Sequence, residues 1–113
     1  MIMDDPDAIP VVGFVYDHWV IFNLPAATRE LPEGIGRDAV LPDESMQGTN
    51  SNGRIGYDGP CPPSGQNHGY VFTLYAVDSV LEIAPGATKA NVLAAIEGHI
   101  LAQAELIGFY QSP

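Results

Sequence analysis

Runs of apolar residues predict the strands of this chain. The segment His18–Asn23 (HWVIFN) has aromatic and β-branched side chains on both faces, which is typical of a strand in the middle of a sheet or between two layers. Tyr70–Ala76 (YVFTLYA) has the same two-sided pattern and predicts a second buried, central strand. Leu101–Tyr110 carries Gln103 and Glu105 on one face, which predicts a strand at or near a sheet edge.

Helical spacing of apolar residues occurs near the end of the chain, after the turn sequence Pro-Gly-Ala. An apolar stripe from Val92 to Ile100 follows Thr88, a good N-cap residue, and predicts a helix that ends near His99. Asn91, at the third helical position, is not expected to complete a capping box. His99 lies near the negative end of this helix, which is a common structural place for a histidine.

The remaining segments are predicted to connect these elements. Met1–Met3 is apolar and is interpreted as the end of a strand, and the prolines of Asp5–Pro10 predict a non-helical turn. Leu24–Ser51 has no sustained period and is expected to hold one short strand at most. The order strand, strand, long loop, rigid loop, strand, helix, strand indicates a mainly β (α+β) fold in a single domain spanning residues 1–113.

The charge balance of the 113 residues narrows the classes of partner. The net charge is −10, from 14 acidic residues against four arginines and lysines. Nucleic-acid binding depends on basic side chains that neutralise phosphates, so we expect no nucleic-acid partner and no adhesion to an anionic membrane. A small anion remains compatible with this charge, because backbone N–H groups and a protonated histidine can bind one locally.

Membrane and targeting signals are not evident in the sequence. No apolar run is long enough to span a bilayer, so we expect no transmembrane segment. No charged segment precedes a short apolar one, as it would in a secretion signal. A cytoplasmic location is the default expectation, with a periplasmic one left open if an N-terminal segment is missing.

A rigid loop of glycine and proline within Gly56–Ala76 is the strongest local signal. Its prolines fix φ and remove N–H donors, and its glycines adopt backbone angles closed to other residues. The loop delivers His68 and Tyr70 to the start of an apolar strand, an arrangement suited to holding a small ligand. An ordinary rigid connection is the alternative interpretation. Cys61, between two prolines and without a basic neighbour, is not expected to be a nucleophile.

An acidic turn upstream of a histidine is the second local signal. Asp5 and Asp7 lie about a dozen residues before His18, within reach of it if the chain turns back. His18 is then a candidate functional residue. The alternatives are a solvated acidic turn and an ordinary core histidine.

Four motifs in this order resemble the phosphatidylethanolamine-binding proteins, and in particular their bacterial and archaeal branch of Raf kinase inhibitor-like proteins. The resemblance rests on Asp5-Pro6-Asp7-Ala8, His18-Trp19-Val20, Gly56-Tyr57-Asp58-Gly59 with Pro62-Pro63, and His68-x-Tyr70 with Phe72. It runs from Met1 to Tyr110. Two departures are the insertion of Ile9 before Pro10 and the presence of Gly69 where the family commonly has arginine.

The resemblance implies an antiparallel β-sandwich with one C-terminal helix and an anion pocket at one end. The strands that precede the Asp-Pro-Asp motif in the family are missing here. We expect an N-terminally truncated chain; the alternative is a fold that manages without these strands and exposes apolar edge surface. By similarity, the ligand-binding residues are Asp5, Asp7, His18, Gly59, Pro62, His68 and Tyr70, with Gly59 and Pro62 in the pocket rim.

Three functional hypotheses remain open at this point. The first, favoured by the resemblance, is a non-enzymatic protein that binds a small phosphate-like anion or a phosphoethanolamine head group and needs no cofactor or bound metal. The alternative is a metal-dependent or acid–base hydrolase that uses His18, His68 and Asp5. The third is a regulator that acts on a protein partner, such as a kinase or a protease. The resemblance is also compatible with a homodimer.

Overall fold

The computed structural model describes residues 1–113 and contains five strands. They are β1 (Ile2–Asp5), β2 (Tyr16–Phe22), β3 (Met46–Gln47), β4 (Asn67–Val77) and β5 (Ile100–Gln111). A 3-10 helix (Pro6–Ala8) and a short helix α1 (Ile9–Val12) join β1 to β2, and helix α2 (Lys89–Ile96) precedes β5. Neither α-helix has the length and apolar content needed to cross a bilayer.

All five strands belong to one open sheet in the order β3-β2-β1-β4-β5, and every neighbouring pair is antiparallel. β1 is the central strand and pairs with β2 on one side and with β4 on the other. A register shift between Met3 and Asp4 disrupts the β1–β2 ladder next to the acidic turn. The predicted mainly β, α+β fold is confirmed, although the second layer is formed by a helix and loops instead of a second sheet.

The core lies on both faces of the sheet. On one face, Ile2, Val20 and Phe22 pack against α2 through Val92 and Ile96. The opposite face carries a smaller cluster, which consists of Met3, Trp19, Ile21 and Tyr70 and is covered by apolar residues of the long connection after β2. This arrangement explains why the apolar run in β2 is two-sided, since each face of that strand contacts a different layer.

The expectation that Asp5–Pro10 cannot be helical is wrong. Asp5 is extended (φ −116°, ψ 93°), as a residue before proline should be. Ile9, however, is helical (φ −52°, ψ −50°) although Pro10 follows it. Both prolines lie in the first turn of their short helices, where the missing N–H is not needed by the helix.

The expected helix near the C-terminus is confirmed, but its predicted N-terminal chemistry is wrong in one respect. Thr88 is the N-cap, and its Oγ1 accepts a hydrogen bond from the Asn91 N–H (3.2 Å). The Asn91 Oδ1 in turn accepts from the Thr88 N–H (3.1 Å), so the capping box is complete. An asparagine amide oxygen reaches the N-cap N–H from the third position, as glutamate or glutamine would.

The long antiparallel pair formed by β4 and β5 is buried only where β4 begins. His68, Gly69 and Tyr70 are buried, whereas all residues of β5 are exposed. The predicted edge position of the last strand is therefore confirmed. The expectation of a buried strand over Tyr70–Ala76 is only partly right, because Leu74 and Ala76 are exposed and Tyr75 is only partly buried against the core.

Candidate functional site

A cavity of about 500 Å³ lies at the end of the sheet where β1 ends and β4 begins. Six of the seven ligand-binding residues expected from the sequence line it, namely Asp5, His18, Gly59, Pro62, His68 and Tyr70. Residues separated by as many as 65 positions in sequence meet here because β1, β2 and β4 are adjacent strands. The Gly/Pro loop supplies one wall of the cavity.

His68 and Asp5 form a buried pair across β4 and β1. The His68 Nδ1 donates to Asp5 Oδ2 at 2.6 Å, and both side chains are about 5% exposed. The other ring nitrogen, Nε2, lies 2.9 Å from the Gln66 side-chain oxygen. Asp5 thus fixes the orientation of the imidazole, as a carboxylate commonly does for a functional histidine.

His18 is held by the Gly/Pro loop and not by the acidic turn. Its Nδ1–H donates to the backbone oxygen of Asp58 at 2.9 Å, and its own backbone oxygen accepts from the Asp58 N–H at 3.0 Å. The hydrogen bond fixes the tautomer of the neutral ring. The Nε2 atom has no partner in the protein and is free to meet a ligand.

Tyr70 brings a hydroxyl group between the two histidines. Its ring centroid lies 5.3 Å from that of His18, edge to face, and 6.4 Å from that of His68. Burial raises the pKa of Tyr70 to about 12, and the nearby Asp5 carboxylate adds to the shift. The phenol is therefore protonated at neutral pH and can donate a hydrogen bond.

Two polar atoms at the cavity are buried and have no hydrogen-bond partner in the protein. They are Asp5 Oδ1 and the Tyr70 hydroxyl oxygen. Leaving a buried polar atom unpaired costs roughly 1–3 kcal/mol. Such atoms are rare in folded proteins, and these two belong to residues that line the same cavity.

Asp7 has a different position from the other candidates. Its Oδ2 accepts from the Gly69 N–H at 2.8 Å, and it is not among the residues that line the cavity. The carboxylate therefore ties the 3-10 helix to the start of β4. Its charge still reaches the cavity, since it contributes to the raised pKa of Tyr70.

Sequence reasoning did not single out the two arginines at the cavity. Arg37 and Arg54 line it and both pair with Asp58, at 2.6 Å and 3.3 Å. Although burial raises the pKa of Asp58, the hydrogen bond from Arg37 and the charge of Arg54 hold it below its ordinary value. Two of only four basic residues in an acidic chain thus lie at one cavity, and Arg54 adjoins the Gly/Pro loop, which was a usable signal.

Apolar residues also contribute to the rim, which the sequence analysis missed. Val11 and Val12 of α1 line the cavity and are about half exposed. Tyr16 at the start of β2 lines it too, with its ring 4.9 Å from that of His18. Desolvation by burial, together with the Asp58 charge, raises the pKa of Tyr16.

The described residues do not include three or more histidine, cysteine, aspartate or glutamate side chains close enough together to hold a metal ion. The cavity instead presents hydrogen-bond donors from Tyr70 and the arginines, an unpaired ring nitrogen on His18, and one unpaired carboxylate oxygen on Asp5. This set suits an anion that also carries a hydrogen-bond donor.

A second, larger cavity of about 1290 Å³ is mostly apolar and is lined by residues of β1, β2 and β4, including Phe22, and of the connections, including Leu81. None of its lining residues contributes a buried polar atom without a partner. Size alone therefore does not single it out. The smaller cavity remains the stronger candidate because its polar groups converge.

Nearly the whole chain is similar to one protein family. The family model described as "Phosphatidylethanolamine-binding protein" matches residues 1–111. A UPF0098 protein of Methanothermobacter thermautotrophicus is 52% identical over 111 residues, and one of Pyrococcus horikoshii is 45% identical over 114. Each alignment covers 98% of this chain, but the chain spans only 71% of the first relative's length and 56% of the second's.

Two solved structures are similar throughout the chain. A Chlamydia trachomatis protein, described as a homolog of the phosphatidylethanolamine-binding protein, has a TM-score of 0.85 at 38% identity. Escherichia coli YbcL, described as a new member of the mammalian family, has a TM-score of 0.84 at 31% identity. Both matches cover 99% of this chain and 70% of the other.

Proposed function

Because this chain belongs to the phosphatidylethanolamine-binding protein family, we propose that it is a non-enzymatic binding protein whose cavity holds a small phosphate-like anion. The observation that carries the proposal is the pair of buried atoms without partners, Asp5 Oδ1 and the Tyr70 hydroxyl. Both belong to side chains that line the cavity with the two histidines.

The donors at the cavity account for the preference for an anion. The Tyr70 hydroxyl is protonated, and the His18 Nε2 becomes a donor when the imidazole gains a proton. Arg37 and Arg54 add positive charge at the cavity wall. Hydrogen bonds from charged donors to an anion are about twice as strong as neutral ones.

The unpaired Asp5 oxygen refines the chemistry of the ligand. A carboxylate oxygen only accepts hydrogen bonds, so a fully deprotonated anion beside it would be repelled. A ligand that carries both a phosphate and a donor satisfies this oxygen. The ammonium group of a phosphoethanolamine head group provides such a donor, as does the P–OH group of a singly protonated phosphate.

Calorimetric titration with phosphoethanolamine and with sulfate tests the proposal. Because a histidine that gains a proton also gains a donor for an anion, binding should be tighter at about pH 5.5 than at about pH 7.5. Sulfate is included because its charge does not change in this range, and because it offers no donor to Asp5 Oδ1 it should bind more weakly than phosphoethanolamine. No binding heat from either ligand at either pH would contradict the proposal.

A matched histidine variant separates the cavity from general charge effects. The double variant His18→Gln, His68→Gln should lose binding of both ligands. His99 is the control, since it is exposed and pairs with Asp78 away from the cavity. His99→Gln should bind both ligands as the unmodified protein does, and equal losses in the two variants would show that the heat does not come from the cavity.

The acid–base hydrolase remains a second candidate because of the short Asp5–His68 hydrogen bond. In that alternative His68 would transfer a proton while Asp5 orients the His68 imidazole. The cavity has no activated nucleophile, since no base contacts Cys61, so a water molecule would have to attack. Turnover of p-nitrophenyl phosphate that is abolished by His68→Gln would favour this alternative over simple binding.

We extend the binding proposal to a protein partner. A net charge of −10 favours a partner with a basic surface, because complementary charge accelerates encounter. A kinase or a protease of that kind is the class we propose. Capture of such a partner at low salt should be lost with the histidine double variant if the cavity takes part, and should persist if only the outer surface does.

A further inference from the structure

Arg37 makes an unusual number of contacts with one short segment of the Gly/Pro region. Its Nη1 donates to the backbone oxygen of Ile55 at 3.0 Å, and its Nη2 donates to that of Tyr57 at 2.9 Å. The same Nη2 donates to Asp58 Oδ1 at 2.6 Å. One guanidinium group therefore donates hydrogen bonds to three of the four residues from Ile55 to Asp58.

The aliphatic part of Arg37 also packs against this segment. Gly56 is buried and has φ +101°, and a Cβ placed on it would lie 3.3 Å from Arg37 Cγ. The absence of a side chain at Gly56 is what allows this close approach. Arg37 lies in the irregular connection between β2 and β3. Its contacts with the segment from Ile55 to Asp58 therefore join that connection to the Gly/Pro region.

The segment that Arg37 holds, Ile55–Asp58, ends at the residue that orients His18. The Asp58 backbone oxygen accepts from the His18 Nδ1–H at 2.9 Å. The Asp58 N–H donates to the His18 backbone oxygen at 3.0 Å. A continuous set of hydrogen bonds thus runs from the Arg37 guanidinium through Asp58 to the His18 imidazole.

We infer that Arg37 is a positioning residue for the cavity: by holding Asp58, it keeps the proton of neutral His18 on Nδ1 and presents Nε2 to the ligand. The ligand's role in this inference rests on the proposed function, whereas the effect on the imidazole does not. The hydrogen bond that one ring nitrogen makes decides which nitrogen carries the proton. If the Asp58 carbonyl moves, the proton of neutral His18 is no longer held on Nδ1 and the ring is no longer held in one orientation.

Arg54 provides an internal comparison for this role. It lies at the same cavity and contacts Asp58 only through the carboxylate, at 3.3 Å and 3.5 Å. Its guanidinium makes no hydrogen bond to a backbone oxygen of the segment. Arg54 therefore contributes charge at the cavity, whereas Arg37 contributes charge and also fixes the position of the Asp58 carbonyl.

Nitrogen-15 NMR of the histidine rings tests the inference without any ligand. In the unmodified protein at pH above the imidazole titration, His18 should show the Nδ1–H form, with its signals assigned from the His18→Gln spectrum. In Arg37→Gln we expect a mixture of both tautomers, and in Arg54→Gln the Nδ1–H form should persist. A His18 ring that keeps the Nδ1–H form in Arg37→Gln would overturn the inference.

A conservative variant covers the case in which Arg37→Gln does not fold, as judged by the dispersion of backbone amide signals. Arg37→Lys keeps the charge and loses the forked donor group. It should therefore show a smaller but measurable loss of the Nδ1–H form. If Arg37→Lys is folded and its His18 signals match those of the unmodified protein, charge alone explains the role of Arg37 and the positioning inference fails.

Calorimetric titration with phosphoethanolamine then connects the ring to binding. Arg37→Gln should weaken phosphoethanolamine binding about tenfold, which is the effect of losing one hydrogen bond to a charged group. Arg29→Gln removes the same charge from an exposed arginine that contacts only the neighbouring Thr28 oxygen, and should bind normally. Unchanged affinity in Arg37→Gln overturns the link to binding. If the unmodified protein binds no phosphoethanolamine, the proposed function fails as well, and the NMR result still decides the tautomer.

Discussion

Strands β2 and β5 are both apolar, yet they have opposite environments. Five of the seven residues of β2 are buried, whereas all twelve residues of β5 are exposed. β2 contributes to both core clusters, and no residue of β5 belongs to either. The comparison teaches that an apolar strand is buried only where a helix or a loop covers its faces, whatever its own composition.

The difference also explains where the candidate site lies. Asp5, His18 and His68 are at the well-covered end of the sheet, where buried polar groups are held by hydrogen bonds to neighbouring elements. The other end of the β4–β5 strand pair, where β4 ends and β5 begins, has no buried residue. We therefore expect substitutions to have large effects near β2 and small effects along β5, and paired variants test that difference.

The largest expected contrast is between two isoleucines. Ile21→Ala removes a fully buried side chain and should lower the free energy of unfolding by about 2–5 kcal/mol. Ile107→Ala, at a position 46% exposed on β5, should lower it by less than about 1 kcal/mol. Urea unfolding followed by circular dichroism measures both. Equal losses would mean that β5 is covered in solution.

A pair of glycines gives the next contrast. A Cβ on Gly48 would overlap the Ala87 backbone oxygen, so Gly48→Ala should destabilise the protein by about 1–3 kcal/mol. A Cβ on Gly108 of β5 would meet nothing within 4 Å, so Gly108→Ala should change stability by no more than about 0.5 kcal/mol. Thermal unfolding of the two variants checks this, and a neutral Gly48→Ala would refute the close approach.

The third contrast concerns pH. Burial, with a further contribution from Asp4, raises the pKa of Asp17 in β2 from 3.8 to about 6. The folded state then binds a proton more tightly than the unfolded state, so this group's contribution to stability falls as pH rises from about 4 to 6. Asp17→Asn should remove that dependence.

The stability gap is the difference in free energy of unfolding between Asp17→Asn and the unmodified protein. It should be absent below about pH 4, and above about pH 6 Asp17→Asn should be more stable by about 1 kcal/mol, after allowance for the partial exposure of Asp17. Chemical unfolding across this pH range measures the gap. Glu105→Gln on exposed β5 is the control and should give no such gap. A gap that opens only at lower pH would contradict the raised pKa of Asp17.

The smallest expected effect on stability is at Tyr70. Its hydroxyl has no partner in the protein, so Tyr70→Phe should leave the free energy of unfolding unchanged or raise it by up to about 1 kcal/mol. The stabilisation by added phosphoethanolamine should nevertheless shrink, because a donor to the ligand is lost. Tyr110→Phe on β5 should change neither quantity. A clear loss of stability in Tyr70→Phe would reveal a structural partner for the hydroxyl.

Much of the fold was predictable because local patterns agree with the tertiary structure. The two-sided apolar run of β2 and the N-cap at Thr88 both indicate elements that the structure contains. The exposure of β5 was only partly predictable, since one polar face indicates an edge strand but not the lack of cover on the other face. Helix α1 was missed because a proline in a first turn resembles a proline in a loop.

The candidate site was predictable in its residues but not in its connections. The carboxylates of the acidic turn were considered to be within reach of His18, but the partner of His18 is the Asp58 carbonyl, and Asp5 pairs with His68. Asp7 contacts the Gly69 N–H and does not line the cavity. The role of Arg37 depends on contacts with residues about 20 positions away, and no local spacing in the sequence reveals such contacts.

The central position of β1 has a practical consequence for anyone who produces this protein. Asp5 is on β1, and His18 and His68 are on the strands to either side, so the cavity exists only if both strand pairings are in register. A slip by one residue would turn one of these side chains to the opposite face of the sheet. Ligand binding, once measured, can therefore serve as an assay for correctly refolded material.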